Sequence, residues 1–176
     1  KEHRVGGAAN VALNTVALGA QTTIVSVIGN DADGVLLQSL FDAQHIDTSY
    51  LLTHDSRITT NKTRVMSRNQ QMMRLDAEIT TPISSDIENL LLQKFTACLD
   101  TKKPDVVIFE DYDKGVISAI LIQTIISEAR KSPPGELIRK TIALILSFSR
   151  AFLNSLANFS PPIIPCSASP LTISPS

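Results

Sequence analysis

The sequence predicts an α/β protein built on a parallel sheet. Two runs have the composition of buried strands: a β-branched and apolar run at 22–28 and a continuous apolar run at 106–109. Helical patterns follow both runs, and strands that alternate with helices form parallel sheets. Because ligands of such sheets bind beyond the carboxyl ends of the strands, we expect a functional site at that edge.

The first 44 residues predict two helices, one before and one after the first strand. Residues 8–18 have a helical pattern that stops at Gly19, and the strand over 22–28 follows. A turn over 29–34 leads into a helix from about Gly34 to Gln44, for which Asp33 is the expected N-cap.

The middle of the chain predicts a β insert between helical segments. The β segments 49–53, 59–67 and 71–77 are expected to form an antiparallel insert, with a hairpin turn over 68–70. Ser85 to Glu88 has the pattern of a capping box, which opens a helix to about Leu99. A further helix over about 118–130 follows the second apolar strand. Both helices carry one apolar stripe each: Ile87, Leu91, Phe95 and Cys98, and then Ile117, Leu121, Ile125 and Ala129.

The composition changes after Lys131. Residues 132–176 hold seven of the nine prolines and a single acidic residue, Glu136. We therefore divide the chain into a domain over 1–131 and an atypical tail over 132–176 that is rich in Pro and Ser. Residues 141–156 could form a helix, and no fixed structure is expected from Ser160 onward.

Composition also restricts the class of partner. A net charge of −1, few aromatic residues and no Trp argue against a nucleic-acid-binding protein. The longest apolar run, 142–146, is too short to cross a bilayer, and the two cysteines match no metal or redox spacing. We expect a cytoplasmic protein that binds a small molecule and neither nucleic acid nor membrane, and we assign no metal ligands.

The start of the first helix carries residues that simple packing does not require. Gly6 and Gly7 allow a ligand to approach the backbone, because they have no Cβ, and a helix N-terminus offers unpaired N–H groups. Asn10 has both a donor and an acceptor, which suits a sugar hydroxyl. The alternative is that Gly6-Gly7 forms a turn and that Asn10 is a cap.

Two further segments have the chemistry of an anion site. On a strand, Lys62, Arg64 and Arg68 share one face, and three cations there repel one another unless an anion joins them. The alternative is a solvated face that is paired with local acids. The segment 110–115 follows a strand end, where Lys114 could contact a phosphate or a sugar and Asp111 could orient it, although a charged loop is commonly just a solvated loop.

These motifs together resemble the ribokinase-like (PfkB-type) carbohydrate kinases. The spacing Gly6-Gly7-Ala8-x-Asn10-x-Ala12, with Gly19 and Gly29 downstream, is similar to the N-terminal signature of that family. The loop at 110–115 resembles the family's Asp-Tyr-x-Lys-Gly loop. The segment 62–76 resembles the D-glycero-β-D-manno-heptose 7-phosphate kinases, which often form the first domain of a bifunctional kinase–adenylyltransferase.

The resemblance implies a three-layer α/β/α fold with a small β lid, and transfer of the γ-phosphoryl group of ATP, with Mg²⁺, to a sugar hydroxyl. It also implies a homodimer, since lid strands in the family often make dimer contacts. The substrate would be a phosphorylated sugar. The implied substrate-binding residues are Gly6, Gly7, Asn10, Lys62, Arg64, Arg68, Asn69, Asp111 and Lys114.

The sequence departs from the family pattern in its catalytic elements. The resemblance covers about residues 2–131, and the family's first strand, with its sugar-binding aspartate, would precede Lys1. The family's Gly-Ala-Gly-Asp motif, which supplies the general base, and its Asn-x-x-Glu element are absent. We therefore assign no catalytic residue, expect an incomplete fold and an inactive chain, and consider a reading-frame change near Lys131.

Three alternatives remain open at this point. One is a fructose- or ribose-type kinase of the same superfamily. The second is a non-catalytic sugar-phosphate binder or a gene remnant. The third is a generic α/β interaction domain, which would be favoured if the cationic strand faced away from Gly6-Gly7.

Overall fold

The computed structural model describes residues 2–67 and 70–131, and the backbone of 141–146. It contains four helices and six strands within these ranges. In chain order they are α1 (Ala8–Ala17), β1 (Gln21–Gly29), α2 (Ala32–Asp42), β2 (Asp47–His54), β3 (Asn61–Ser67), β4 (Gln70–Ala77), α3 (Ser85–Lys102), β5 (Val106–Glu110), α4 (Ala119–Lys131) and β6 (Thr141–Leu146).

Four of the strands form one parallel sheet in the order β2-β1-β6-β5. The strand β1 pairs in parallel with β2 on one side and with β6 on the other, and β6 also pairs in parallel with β5. All four carboxyl ends therefore lie at one edge of the sheet, which is the edge where the sequence predicts a site.

Helices cover both faces of this sheet. Neighbouring residues of a strand point to opposite sides, so each strand can contribute side chains to both layers. Val25 and Val27 of β1 pack with the apolar stripes of α3 and α4. Ile24, which precedes Val25 and points to the opposite face, packs with α1 and α2, where Phe41 is 2% exposed. The predicted three-layer α/β/α arrangement is confirmed. The stripe predicted on α3 is also correct, since Ile87, Leu91, Phe95 and Cys98 are all buried.

The strands β3 and β4 form a separate antiparallel two-stranded sheet, which we call the lid. Most of its side chains are exposed. A β-bulge lies between Val65 and Met66, opposite which β4 has Met72 as an extra residue. The small β lid that the resemblance implies is thus present.

The antiparallel insert is smaller than predicted. The segment 49–53, assigned to it from the sequence, lies in β2, which pairs in parallel with β1 in the main sheet. The β2 residues Tyr50 and Leu52 pack on the α3 side, and Leu51 packs on the opposite side. Because it is buried on both faces, β2 must lie inside the layered domain. The sequence of such a short segment does not show which strand it pairs with.

Both predicted helix caps are displaced along the chain. The N-cap of α2 is Asp31 and not Asp33, because the Asp31 side chain accepts a hydrogen bond from the Gly34 N–H. The N-cap of α3 is Ser84 and not Ser85, since the Ser84 side chain accepts from the Ile87 N–H. In each case neighbouring residues have the same capping chemistry, and backbone geometry selects between them.

The predicted helix over 141–156 is wrong for its described part. Residues 141–146 form β6, and the backbone of this strand lies between β1 and β5. Its run of Thr, Ile, Ala, Leu, Ile and Leu suits a buried parallel strand as well as a helix, and pairing on both sides decides the outcome. Arg68, Asn69 and the ranges 132–140 and 147–176 lie outside the described residues.

Candidate functional site at the carboxyl edge of the sheet

The start of α1 meets the loop that follows β5. Gly7 is the N-cap of α1 and has φ 55°, a left-handed conformation that favours glycine. A Cβ built on Gly7 would lie 3.9 Å from the Tyr112 ring, so the aromatic ring covers this backbone position. The paired-glycine segment and the loop over 110–115, which we call the site loop, are therefore neighbours.

Asn10 does not act as a cap. The N-terminus of α1 has no side-chain cap, and the Asn10 N–H donates to the Gly7 carbonyl oxygen at 3.1 Å. The Asn10 side chain is exposed on the first turn of the helix. The alternative in which Asn10 caps the helix is excluded, and its amide remains available to a ligand.

The site loop has an unusual backbone. Asp113 has φ 55° and Gly115 has φ 67°. A Cβ on Gly115 would clash with the Thr81 carbonyl, and the Gly115 carbonyl accepts a hydrogen bond from the Ile83 N–H at 2.8 Å. The loop is thus packed against the segment that returns from the lid, and only glycine fits at this contact.

Asp111 is half-buried within the site loop. The pKa of its carboxyl is raised to about 7, mainly by burial and in part by the charges of Asp113 and Glu110, against the opposing effect of the Asp113 N–H. That N–H donates to Asp111 Oδ1 at 3.0 Å. A carboxyl with this pKa can both donate and accept hydrogen bonds near neutral pH, which suits contact with a sugar hydroxyl.

A buried arginine joins the base of the lid to the site loop. Arg57 is 8% exposed, and its guanidinium donates to the carbonyl oxygens of Thr81 at 3.0 Å, Ile79 at 3.2 Å and Lys114 at 2.6 Å. Burial lowers the pKa of Arg57. One planar guanidinium thus fixes both the lid return segment and the site loop.

The segment that leads into the lid is held at the end of β1. Asp31 accepts from the Gly34 N–H at 2.7 Å and from the Thr59 N–H at 2.8 Å, and Thr59 Oγ1 accepts from the Gly29 N–H at 3.1 Å. Burial acts to raise the pKa of Asp31, but the hydrogen bonds from Thr59 and Gly34 outweigh it and lower the pKa overall. Asp31 therefore accepts these hydrogen bonds as a charged carboxylate.

Cations from the lid and from the site loop converge on one carboxylate. Glu78 Oε2 lies 3.1 Å from Lys62 Nζ and 3.1 Å from Lys114 Nζ. Asp76 Oδ2 lies 2.9 Å from the Arg74 guanidinium and 3.5 Å from Lys62 Nζ. The local acids that the alternative interpretation required are therefore present.

Arg64 lies on the same face of the lid as Lys62. It pairs across the lid with Arg74, and Lys62 pairs with Asp76. Because Lys62 reaches Glu78 beside Lys114, this cationic face is turned toward the site loop. Among the described residues, no ion pair or hydrogen bond joins Asn10 to the lid cations. The site loop lies next to both segments, since Tyr112 covers Gly7 and Lys114 shares Glu78 with Lys62.

Three residues of this region were missed from the sequence: Arg57, Glu78 and Tyr112. Tyr112 lies within the motif that was noticed and could have been assigned from it. Arg57 and Glu78 stand outside every motif, and their roles depend on contacts with Thr81 and Lys114 that are distant along the chain. A single sequence carries no local signal for such contacts.

In the residues that the structure describes, we find neither a metal-ligand cluster nor the family's nucleotide elements. Within 2–67 and 70–131, no group of three or more His, Cys, Asp and Glu side chains could hold a metal ion. The family elements for nucleotide and magnesium are also missing from the sequence. We therefore assign no residue of this chain to the nucleotide. In the same part of the chain, no helix is long and apolar enough to span a membrane.

The layered fold is similar to that of a solved structure. A protein described as a sugar kinase from Clostridium perfringens superposes with a TM-score of 0.53 at 12% identity. The match covers 88% of this chain and 44% of that protein. At this identity the likeness concerns the fold alone, and it confirms a partial ribokinase-like α/β fold.

Residues 1–117 match the pfkB family carbohydrate kinases. The chain belongs to this family, so the resemblance stated from its motifs is confirmed.

Two relatives are similar over most of this chain. The bifunctional protein HldE of Helicobacter hepaticus is 42% identical over 130 residues, which is 74% of this chain. The bifunctional protein HldE of Methylobacillus flagellatus is 42% identical over 132 residues, which is 75% of this chain. In both cases the chain spans 27% of the length of the relative.

Proposed function

We propose that the protein to which this chain belongs phosphorylates D-glycero-β-D-manno-heptose 7-phosphate at its 1-hydroxyl. ATP with Mg²⁺ would be the phosphoryl donor, and the product would serve ADP-heptose synthesis for the lipopolysaccharide core in the cytoplasm. The support is membership of the pfkB family, the relatives named HldE, and the resemblance of residues 62–76 to heptose 7-phosphate kinases.

The observation that carries the proposal is the convergence of Lys62 and Lys114. These ammonium groups come from the lid and the site loop, and they approach the same carboxylate oxygen. A substrate that already bears a phosphate supplies the anion that such a pair attracts. Gly6, Gly7, Asn10 and Asp111 would contact the sugar, while Arg64, Arg68 and Asn69 would complete the phosphate side.

The chain by itself is proposed to bind substrate without turning it over. Phosphoryl transfer depends on positioning and on charge stabilisation around the phosphates, and the family's general base and nucleotide elements are not in this sequence. A non-catalytic sugar-phosphate binder is thus the second candidate function for the chain. ATP-dependent turnover of the heptose phosphate by this chain would contradict the proposal of inactivity.

Calorimetric titration of the chain with heptose 7-phosphate tests the substrate. We expect binding that weakens about tenfold or more for the same heptose without its phosphate, since a charge-assisted contact contributes about 1.5–3 kcal/mol. Fructose 6-phosphate and ribose serve as controls for other kinases of the superfamily. Equal binding of heptose with and without phosphate would exclude the phosphate-specific site, and preference for fructose 6-phosphate would assign the other substrate class.

We also propose that the intact protein is a homodimer that pairs through its lid. Five large apolar side chains of the lid are exposed and belong to neither apolar cluster of the main domain: Val65, Met66, Met72, Met73 and Leu75. Contiguous exposed apolar surface commonly marks an interface. Met73→Glu should convert the dimer to a monomer in light scattering, whereas Leu18→Glu, at an exposed apolar residue of the main domain, should not.

A further inference from the structure

The contact between lid and site loop is made by one carboxylate between two ammonium groups. Lys62 Nζ and Lys114 Nζ each lie 3.1 Å from Glu78 Oε2. The two nitrogens can therefore be no more than twice that distance apart, which is within the span of a single phosphate group. Lys62 belongs to the lid, and Lys114 belongs to the site loop.

Two ion pairs hold the carboxylate of Glu78. Its Oε2 atom is buried and has no hydrogen-bond partner of acceptable geometry in the part of the chain that the structure describes. The contacts with Lys114 and then Lys62 lower the pKa of Glu78, against the opposing effect of burial. The side chain keeps 23% exposure, so it can move toward solvent when another anion enters.

The surroundings of Glu78 carry more cations than anions. In the ion pairs that the structure describes around Glu78, three cations meet two carboxylates: Lys62, Arg74 and Lys114 pair with Asp76 and Glu78. Arg64 and Arg74 are directly opposed across the lid, and opposed like charges destabilise a strand pair unless an anion lies between them. The excess positive charge favours a further anion at this face.

We propose that Glu78 is a built-in counter-ion that occupies the phosphate position until the substrate arrives. It holds Lys62 and Lys114 together, and the phosphate of a phosphorylated sugar replaces it on both ammonium groups. The inference rests on the proposed function and adds how the same site is kept assembled and made selective for a doubly charged group. A phosphate carries about two negative charges and three acceptor oxygens, so it satisfies both cations better than one carboxylate oxygen does.

The inference predicts that Glu78 competes with the ligand. Removing its charge should therefore strengthen phosphate binding, whereas loss of a residue that only supports the fold should weaken it. We expect Glu78→Gln to bind inorganic phosphate about fivefold more tightly than the unchanged chain, at the low end of typical coupling between sites because the cluster is partly solvated. Glu78→Asp, with a shorter side chain, should give a smaller gain.

A matched control is available on α4. Glu128 forms an ion pair with Lys131 at 2.7 Å, and it is of the same chemical type as the Glu78 pairs. Glu128→Gln changes the net charge equally and should leave phosphate affinity unchanged. Adding Lys62→Met to Glu78→Gln should abolish the gain, because the phosphate then lacks the lid ammonium. NMR titration of the full chain measures each affinity, and circular dichroism confirms the fold of each variant.

Separate titrations with heptose 7-phosphate and with ATP and Mg²⁺ distinguish the source of the phosphate. A gain for inorganic phosphate and heptose 7-phosphate supports the inference. Three results would overturn the inference. They are tighter binding of ATP alone, an equal increase in affinity in Glu78→Gln and Glu128→Gln, and weaker phosphate binding in folded Glu78→Gln. If inorganic phosphate shows the gain but neither protein binds heptose 7-phosphate, the counter-ion role stands and the proposed substrate is wrong.

Discussion

Asp111 shows how a single residue in the site loop acquires chemistry that its type does not predict. Burial raises the pKa of its carboxyl to about 7, and two neighbouring acids act in the same direction. The motif around it identified Asp111 as a candidate ligand of sugar, but the sequence contains no information about its burial. The protonation state of this candidate site residue is therefore a property of the folded loop.

The raised pKa makes stability depend on pH in a defined direction. Between about pH 4 and pH 7, the folded chain keeps a proton on Asp111 that the unfolded chain has lost, so this residue makes the fold less stable as pH rises. Asp111→Asn lacks this effect. The stability of the variant relative to the unchanged chain should rise by about 1 kcal/mol from pH 5 to pH 7.5, with the full shift discounted for solvent screening.

Urea denaturation at a series of pH values measures this difference. Asp100→Asn, which removes an exposed carboxylate of α3, is the matched control and should show no comparable trend. A relative stability of Asp111→Asn that stays constant or falls as pH rises would mean that the carboxyl is ionised throughout.

Among the elements, the lid is joined to the main domain mainly by hydrogen bonds. The segment that leads into the lid is held by the hydrogen bond between Thr59 and Asp31, and the segment that returns from the lid is held by Arg57. The main sheet instead gains its cohesion from apolar layers on both faces. We expect the lid to open locally at a lower free energy than the sheet, because it has few buried apolar contacts.

Arg57→Met should destabilise the chain by about 2–4 kcal/mol, because three partly buried carbonyl groups lose the donor that the buried guanidinium supplies. Arg57→Lys should recover only part of this loss, since one ammonium cannot serve three acceptors in the geometry of a guanidinium. Urea denaturation measures both values, and hydrogen exchange should show faster exchange at the Ile83 N–H, which bonds the site loop.

Arg4→Met is the control for Arg57. Arg4 is exposed and pairs with Glu2 at 2.7 Å, and exposed pairs contribute little to stability. If Arg57→Met and Arg4→Met change the unfolding midpoint equally, then Arg57 does not join the lid to the site loop in solution.

At the scale of the whole molecule, the position of β6 determines whether the sheet is continuous. It is the only described strand that pairs with both β1 and β5, so without it β5 has no described partner in the sheet. The domain predicted over 1–131 lacks this strand. The composition of the tail suggested a separate segment, whereas the backbone of 141–146 belongs to the sheet.

Truncation tests this arrangement directly. A chain that ends at residue 131 should lose its cooperative unfolding transition, because β1 and β5 become separate edges with unpaired backbone groups. A chain that ends at residue 150 keeps every described element and should unfold cooperatively. Thermal denaturation followed by circular dichroism compares the two, and a cooperative transition at the same midpoint for both would show that β6 does not connect the sheet.

The sequence by itself determined the helices, most strands, the α/β class and the motifs of the carbohydrate kinase family. These features depend on local periodicity, on glycine spacing and on strand composition, which a single chain displays directly. Tertiary structure alone decided that β2 joins the parallel sheet, that β6 lies at its centre, and that Arg57 and Glu78 connect the lid to the site loop. Those outcomes depend on pairing and charge between residues far apart along the chain, and they exist only once the layers have packed.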